Sequence, residues 1–412
     1  MSAQPVMLGR AALKFTALPP LALYIHIPWC LKKCPYCDFN SHETRNGAAL
    51  PEQEYVAALT ADFEQTLPRV WGRRISSVFF GGGTPSLLSG AAVDAILAAV
   101  RARLPLNPDA EITLEANPGT AEAERFRDYR AAGVNRLSLG IQSFNPRHLK
   151  ALGRIHDGDQ ARRAIDMARA RFDNFNLDVM YGLPEQSLEE ALQDIDTALS
   201  FEPPHLSAYH LTLEPNTVFH RYPPKLPDDD TSADMQIAIE TRLAAHGYDN
   251  YETSAFALTG MRCRHNLNYW LFGDYIGIGA GAHGKISFPD RVLREARYRQ
   301  PRQFIEQALV GNAIQESHEV STGEIGFEFM MNALRLNGGF ETSLFVERAG
   351  VPLTQVLRAL EAAEQRGFIL RDHQRVTPTL QGRRFLNELL QLFLPESSKS
   401  ADGIEASAKR EP

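Results

Sequence analysis

The chain predicts an α/β fold in which parallel strands close into an incomplete (β/α)6 barrel, with a smaller α+β unit after it. Three observations lead there. Short apolar runs recur at 22–27, 75–80, 112–115, 136–140, 176–180 and 206–213, a spacing of roughly thirty residues that suits strands joined by right-handed helical crossovers. Helical patterns separate them: Tyr55, Val56, Leu59, Phe63 and Leu67 recur at helix spacing after the first run, as do Val93, Ile96, Leu97 and Val100 after the second. Polar or glycine residues gather at the C-terminal ends of the runs, where barrels of parallel strands collect their chemistry. Cys30 follows the first run and Gly81 to Thr84 the second; Glu115 ends the third, Gln142 closes the fourth, Asp178 lies in the fifth and Glu214 ends the sixth. Any one of these would serve as a helix cap, but together they are better explained by a shared site, because buried strands otherwise read apolar throughout. Six units in place of eight leave an open side, which suits a large planar ligand.

Beyond the strands the pattern divides the chain into an N-terminal extension (1–19), the partial barrel (20–250), a linking segment (251–321), a C-terminal unit (322–394) and a tail (395–412). In the C-terminal unit, Phe327, Met330, Met331 and Leu334, then Val356, Leu357 and Leu360, recur at helix spacing ahead of two strand-like runs, 367–371 and 376–380. This helix-helix-hairpin order is winged-helix-like. Such units often contact DNA, and Arg366, Arg371, Arg375, Arg383 and Arg384 are basic, but acidic residues are interspersed, so it reads as a lid or partner surface. The tail, rich in Ser, Lys and Glu, reads as disordered.

With 412 residues, 44% of them hydrophobic, the chain can bury a substantial core. A formal net charge of −7 gives no global field that recruits nucleic acid. No apolar stretch approaches the ~20 residues of a membrane span. Arg10 and Lys14 precede apolar residues, yet a secretory leader there would place its apolar segment against the cysteine loop. Four cysteines in so long a chain point to a reducing compartment, the cytoplasm.

Three of the four, Cys30, Cys34 and Cys37, stand on one loop as C-x3-C-x2-C, with Tyr36 before the last. Three thiolates can hold three corners of a four-iron cluster and leave the fourth iron open to a small ligand. Structural zinc would need a fourth ligand, and no second Cys or His pair lies at finger distance. Disulfides within the loop would strand one thiol. Lys32 and Lys33 would favour thiolates, and an ordinary solvated loop explains them nearly as well.

The cysteine loop, followed by Gly81-Gly-Gly-Thr-Pro85, resembles the radical S-adenosylmethionine (SAM) superfamily. The resemblance implies a [4Fe-4S] cluster on Cys30, Cys34 and Cys37 and an external electron donor. It implies a SAM site made by Tyr24, Tyr36, Gly82, Gly83, Thr84, Glu115, Gln142, Arg154 and Asp178. Glycines permit close backbone approach, the acids suit a sulfonium and ribose hydroxyls, and the planar fork of Arg154 suits a carboxylate. More closely, eight segments from Tyr24-Ile-His-Ile-Pro-Trp-Cys30 to His265-Asn-Leu-Asn-Tyr-Trp270 resemble the oxygen-independent coproporphyrinogen III oxidase-like family, and within it the heme-chaperone branch. The resemblance covers roughly residues 20–390. The oxidases carry another cysteine two residues after the third and a longer N-terminal segment; here Phe39 stands at that position and 29 residues precede Cys30. A phenyl ring cannot ligate metal, so the chaperone reading is preferred to oxidative decarboxylation.

The resemblance thus implies heme binding and transfer to apo-hemoproteins such as respiratory enzymes, with a homodimer among the compatible assemblies. His265 is the leading heme ligand and Cys263 a second candidate, with Tyr269 and Trp270 able to pack on a macrocycle. On the residues alone, a histidine satisfied in a packed loop is the stronger reading, and Cys263 is equally a small buried hydrophobe. The glycine-rich stretch from Gly273 to Gly284 is implied to close over the SAM region, with His283 a further candidate. A radical SAM RNA modifier is a third reading, one that the acidic balance disfavours.

Overall fold

The computed structural model describes residues 13–44, 49–119 and 125–395; most of the N-terminal extension and nearly all of the tail lie outside them. Strand β1 (Leu21–Ile27) buries every side chain but that of half-buried Tyr24, as a strand covered on both faces must. Strands β2 (Ile75–Gly82), β3 (Leu106–Ala116), β4 (Arg136–Gln142), β5 (Phe175–Tyr181) and β6 (His205–His210) follow it in parallel register. Helices α1 (Glu52–Thr66) and α2 (Gly90–Arg103) lie where periodicity places them, burying Tyr55, Leu59 and Phe63 and then Val93, Ile96, Leu97 and Val100. Ser89 caps α2 by accepting from the Ala92 N–H, which satisfies one of the first-turn amides.

Two strand ends differ from expectation. Strand β3 starts at Leu106, six residues early, because Leu106 pairs with Ile75 before a register shift restores the main ladder. Strand β6 stops at His210, since its only parallel neighbour ends at Tyr181. Glu214 therefore lies on the following loop, not at a strand end.

The sheet also runs past the six expected strands. At one edge β7 (Asp249–Glu252) and β8 (Ala255–Ala257) add antiparallel to β6. At the other, β9 (Asp274–Ile278) lies parallel to β1, a seventh parallel strand, and β10 (His283–Ser287), β11 (Val292–Arg297) and β12 (Ile314–Glu319) continue antiparallel. The twelve-stranded order is β12-β11-β10-β9-β1-β2-β3-β4-β5-β6-β8-β7. Residues 251–321 thus supply nearly all of these six added strands. Charged edge residues (Glu316, Glu319) on β12 leave its outer rim unattractive to a further strand. Between the two edges, α3 (Arg264–Trp270) packs against β1, β2 and β9 at the base of the barrel.

A second hydrophobic core lies in the C-terminal unit. Helices α4 (Ile325–Ala333), α5 (Thr342–Ala349) and α6 (Leu357–Gln365) pack with a small sheet of β13 (Phe340–Glu341), β14 (Ile369–Arg371) and β15 (Arg375–Pro378) in the order β13-β15-β14. This is the expected winged-helix-like arrangement. Phe329 is its hub, edge-on to Phe340 and Phe345 and, across the boundary, to Phe272. Met331, placed with the apolar helix face by spacing, instead points to solvent.

Candidate functional site

The C-terminal strand ends surround a cavity of about 710 Å³, within the range of roughly 300–1,000 Å³ typical of small-ligand sites. Tyr24, Cys30, Cys34, Tyr36, Cys37, Gly82, Gly83, Thr84, Glu115, Gln142, Arg154, Asp178 and His265 all line it. Of the candidate site residues singled out from sequence, Cys263 and His283 stand apart.

Two contacts fix the cysteine loop to the barrel. Pro35 fits against Gly153, where a Cβ would approach its ring at 2.9 Å, and accepts from the Phe219 N–H. Asn40 donates to the carbonyls of Ala280 and Arg299, both at 2.9 Å, while its own carbonyl meets His26. The glycine-rich turn between β9 and β10 thus braces the loop from outside, since Gly281 leaves room for Asn40, and does not reach the cavity wall. His283 opens β10 at the surface.

Each sulfur has a polar neighbour. Thr84 Oγ1 donates to Cys30 Sγ at 3.5 Å, the Arg154 guanidinium to Cys34 Sγ at 3.7 Å, and Cys37 Sγ meets Ser41 Oγ at 3.6 Å. Burial pushes the Cys30 thiol up, opposed by the Thr84 hydroxyl. Donors aimed at sulfur and a buried cation beside Cys34 suit thiolates held in a cluster. Among the described residues no three His, Cys, Asp or Glu side chains converge on a point that could hold one metal ion.

The glycine run is needed first for strand packing. A Cβ on Gly83 would stand 2.6 Å from the Trp29 carbonyl, and one on Gly82 2.6 Å from the His26 ring. The N–H groups of Gly83 and Thr84 already donate to the carbonyls of Ile27 and Trp29. An incoming amine would therefore find carbonyls and the Thr84 hydroxyl here, not free amides.

Gln142 is turned into the cavity by a bulge after Gly140 and holds φ at 67°, a left-handed conformation unusual for a side-chain-bearing residue. Arg154 spends one nitrogen on Asn117 Oδ1 (2.6 Å) and the Gly140 carbonyl (2.8 Å), so much of its fork serves the protein. Glu115 accepts from the Gly82 N–H; burial first, then Asp178, pushes its carboxyl up to about 8. Burial also raises Asp178, while Asn176 and Ser138 donate to its oxygens at 2.8 and 3.1 Å. A ligand cation would relieve both acids.

At the floor, α3 presents His265, 2% exposed, with Nδ1 3.0 Å from Ser77 Oγ and the ring stacked on Phe79. Burial, then Arg136, lowers its pKa to about 3, so the imidazole is neutral. Its Nε2 is buried without a partner among the described residues. Cys263 precedes α3 and donates to Glu111 Oε1 at 3.5 Å; burial pushes this thiol up to about 12. It is a protonated anchor off the cavity wall, with no thiolate to offer heme there.

Sequence reasoning missed Asn117, Arg136, Ser138 and Asn176, all on the wall. A signal existed for Arg136, a charge opening an otherwise apolar buried strand.

Comparison with known proteins accords with this geometry. The radical SAM superfamily pattern matches residues 24–198 and that of the HemN C-terminal domain residues 320–385. The chain is 50% identical over 383 residues to the heme chaperone HemW of Escherichia coli, covering 92% of this chain and 99% of that one. The corresponding protein of Haemophilus influenzae is 45% identical over 385 residues (92% and 99%), and that of Bacillus subtilis 35% over 381 residues (90% and 99%). Among solved structures, the coproporphyrinogen III oxidase HemN of Escherichia coli superposes with a TM-score of 0.77 at 24% identity, covering 91% of this chain and 90% of that one. It shares the fold.

Proposed function

Because this chain belongs to the HemW family of heme chaperones within the radical SAM superfamily, we propose that it binds a [4Fe-4S] cluster, SAM and heme and passes heme to apo-hemoproteins, respiratory enzymes among them. The observation that carries this reading is the convergence of three thiols, two buried acids and His265 on one cavity. When bound, the cluster supplies an electron-transfer centre whose open iron accepts an amine and a carboxylate.

The remaining work falls to the chain. Cys30, Cys34 and Cys37 hold the cluster, while Thr84, Ser41 and Arg154 stabilise negative charge on sulfur. Glu115 and Asp178 face the sulfonium and ribose of SAM, Gln142 and Tyr24 shape its wall, and Tyr36 packs between the loop and Phe219. His265 holds heme iron through Nε2. Since that atom is buried, the floor must open before iron reaches it. The cavity is sized for one small ligand, so SAM and a macrocycle do not share it in its closed form. Uptake of heme is thereby coupled to a shift of α3 or release of SAM. An external reductant serves the cluster, and the reading places the protein in the cytoplasm as a monomer or homodimer. Among the described residues no helix is long and apolar enough to cross a membrane.

Anaerobic reconstitution with iron and sulfide, followed by heme titration under absorbance, tests the proposal. The Cys37→Ala variant should lose the cluster's visible absorption and keep at least part of heme uptake. His265→Ala should weaken heme binding by about tenfold or more, as loss of an axial ligand does. No specific heme association in the wild type, or unchanged uptake by His265→Ala, would remove the reading's support. Conversion of coproporphyrinogen III under reducing, oxygen-free conditions would show an oxidase instead.

A further inference from the structure

Arg136 opens β4 at the floor of the cavity and is 2% exposed. Its Nε has no hydrogen-bond partner among the described residues, and its guanidinium forms no ion pair there. Two acids act on it through space, Glu111 and Asp178, but their oxygens are already engaged. Glu111 accepts from the backbone N–H groups of Arg264 and His265 and from the Cys263 thiol. Asp178 accepts from Ser138 and Asn176. A buried cation whose acidic neighbours point their acceptors elsewhere is unusual, because desolvation is unfavourable unless hydrogen bonds replace water. The same cavity is lined by the second orphan, His265 Nε2. The two are close enough for the guanidinium to lower the imidazole's basicity. The ring's Nδ1 lies 3.0 Å from Ser77 Oγ; in the tautomer where Ser77 donates to it, the ring proton sits on Nε2, a second unpartnered donor on the same wall.

We infer that Arg136 and His265 form an internal carboxylate subsite on the cavity floor, at the opposite end of the barrel from the cysteine loop. The planar fork of Arg136 supplies two parallel N–H donors for a carboxylate, and His265 in its neutral form a third. Of the ligands of the proposed function, heme carries that group free through its propionates, whereas SAM spends its carboxylate on the open iron at the cysteine loop; the subsite rests on that reading for its ligand. Heme held by a propionate here leaves its iron away from His265 until the floor opens and the ring proton passes to Nδ1, where Ser77 Oγ can accept it and the Nε2 lone pair is freed for iron. The subsite thus serves a docking state that precedes ligation.

The test measures binding of hemin, hemin dimethyl ester, SAM and decarboxylated SAM to anaerobically reconstituted wild-type protein, Arg136→Gln and Arg136→Lys by calorimetry. Arg136→Gln should weaken hemin binding by about tenfold, the scale of a lost charge-assisted hydrogen bond, and leave hemin dimethyl ester, SAM and decarboxylated SAM nearly unchanged. Loss confined to hemin among the four ligands assigns the propionate; loss in the SAM pair, whose carboxylate belongs at the cysteine loop, overturns the assignment. If Arg136→Gln does not fold, Arg136→Lys keeps the charge and loses the fork, and it should still weaken hemin alone. Equal loss for acid and carboxylate-free ligand, or no loss with any ligand, overturns the subsite. That outcome leaves the proposed function standing wherever wild-type protein still takes up heme.

Discussion

Glu115 shows how one buried side chain can couple ligand binding to pH. Its carboxyl is pushed from the ordinary 4.5 up to about 8 by burial and by Asp178. A raised acid stabilises the fold fully below its unfolded value, and that contribution is lost as pH rises from about 4.5 through about 8. Denaturation at pH 5 and pH 9 should therefore show a drop in stability that Glu115→Gln reduces. A cationic ligand reverses the preference for the protonated form. SAM binding near pH 7 should release a proton, visible as a heat that depends on buffer ionisation enthalpy, and Glu115→Gln should abolish it. Arg154 affects charge on the other wall. Removing its donor from Cys34 in Arg154→Gln should lower the cluster's reduction potential, because hydrogen bonds and cations near sulfur favour the reduced state; spectroelectrochemistry reads the change. The residue types at these positions were legible in the sequence, since an acid at a buried strand end has few bland explanations. The partners were not. Asn117 takes half of Arg154's fork and Ser138 reaches Asp178 only once strands β3, β4 and β5 are laid side by side.

At the scale of elements, the ends of β2 and β4 position the site. Strand β2 meets β1 so closely beyond Ile27 that Gly83→Ala brings a methyl against two carbonyls, 2.6 Å from that of Trp29 and 3.0 Å from that of Ile27. Overpacking against backbone should cost about 1–3 kcal/mol and displace the strand that delivers Cys30, so both the melting temperature and the reconstituted cluster absorption should fall. The bulge in β4 gives the opposite trade. Gln142→Gly relieves a left-handed residue and should raise stability by up to about 1 kcal/mol while weakening SAM binding, since the side chain leaves the wall. Periodicity predicted α1 and α2 well, because one face of each is buried and the other is wet. It placed the C-terminal limit of β6 too late. Leu211 and Leu213 are apolar, but they pack in a loop cluster with Met180 and Phe219, and no neighbouring strand continues to pair with them.

Across the whole molecule, two cores meet at the base of the barrel. Phe272, next to the seventh parallel strand, packs edge-on to Phe329 of α4, and Leu13 and Val292 join the same cluster. Phe329→Ala removes the ring shared by Phe272, Phe340 and Phe345 and should cost about 3–5 kcal/mol. Because α3 touches both α4 and the strands under the cavity, the loss should also loosen the floor. Hydrogen exchange on α3 should therefore quicken in Phe329→Ala, which ties the C-terminal unit mechanically to His265.

The sequence by itself determined the parallel barrel, the winged-helix-like unit and the cysteines, glycines and strand-end acids that line the site, because strand and helix periods, cysteine spacing and strand-end polarity are local patterns. Tertiary structure decided what no local pattern carries. Residues 274–319 complete the sheet, since a strand's partner is chosen by long-range pairing. Cys263 turns to Glu111, because the base of α3 is closed by burial. Arg136 is left with an unpartnered Nε, since Glu111 is occupied by groups from a distant part of the chain and Asp178 by Asn176 and Ser138.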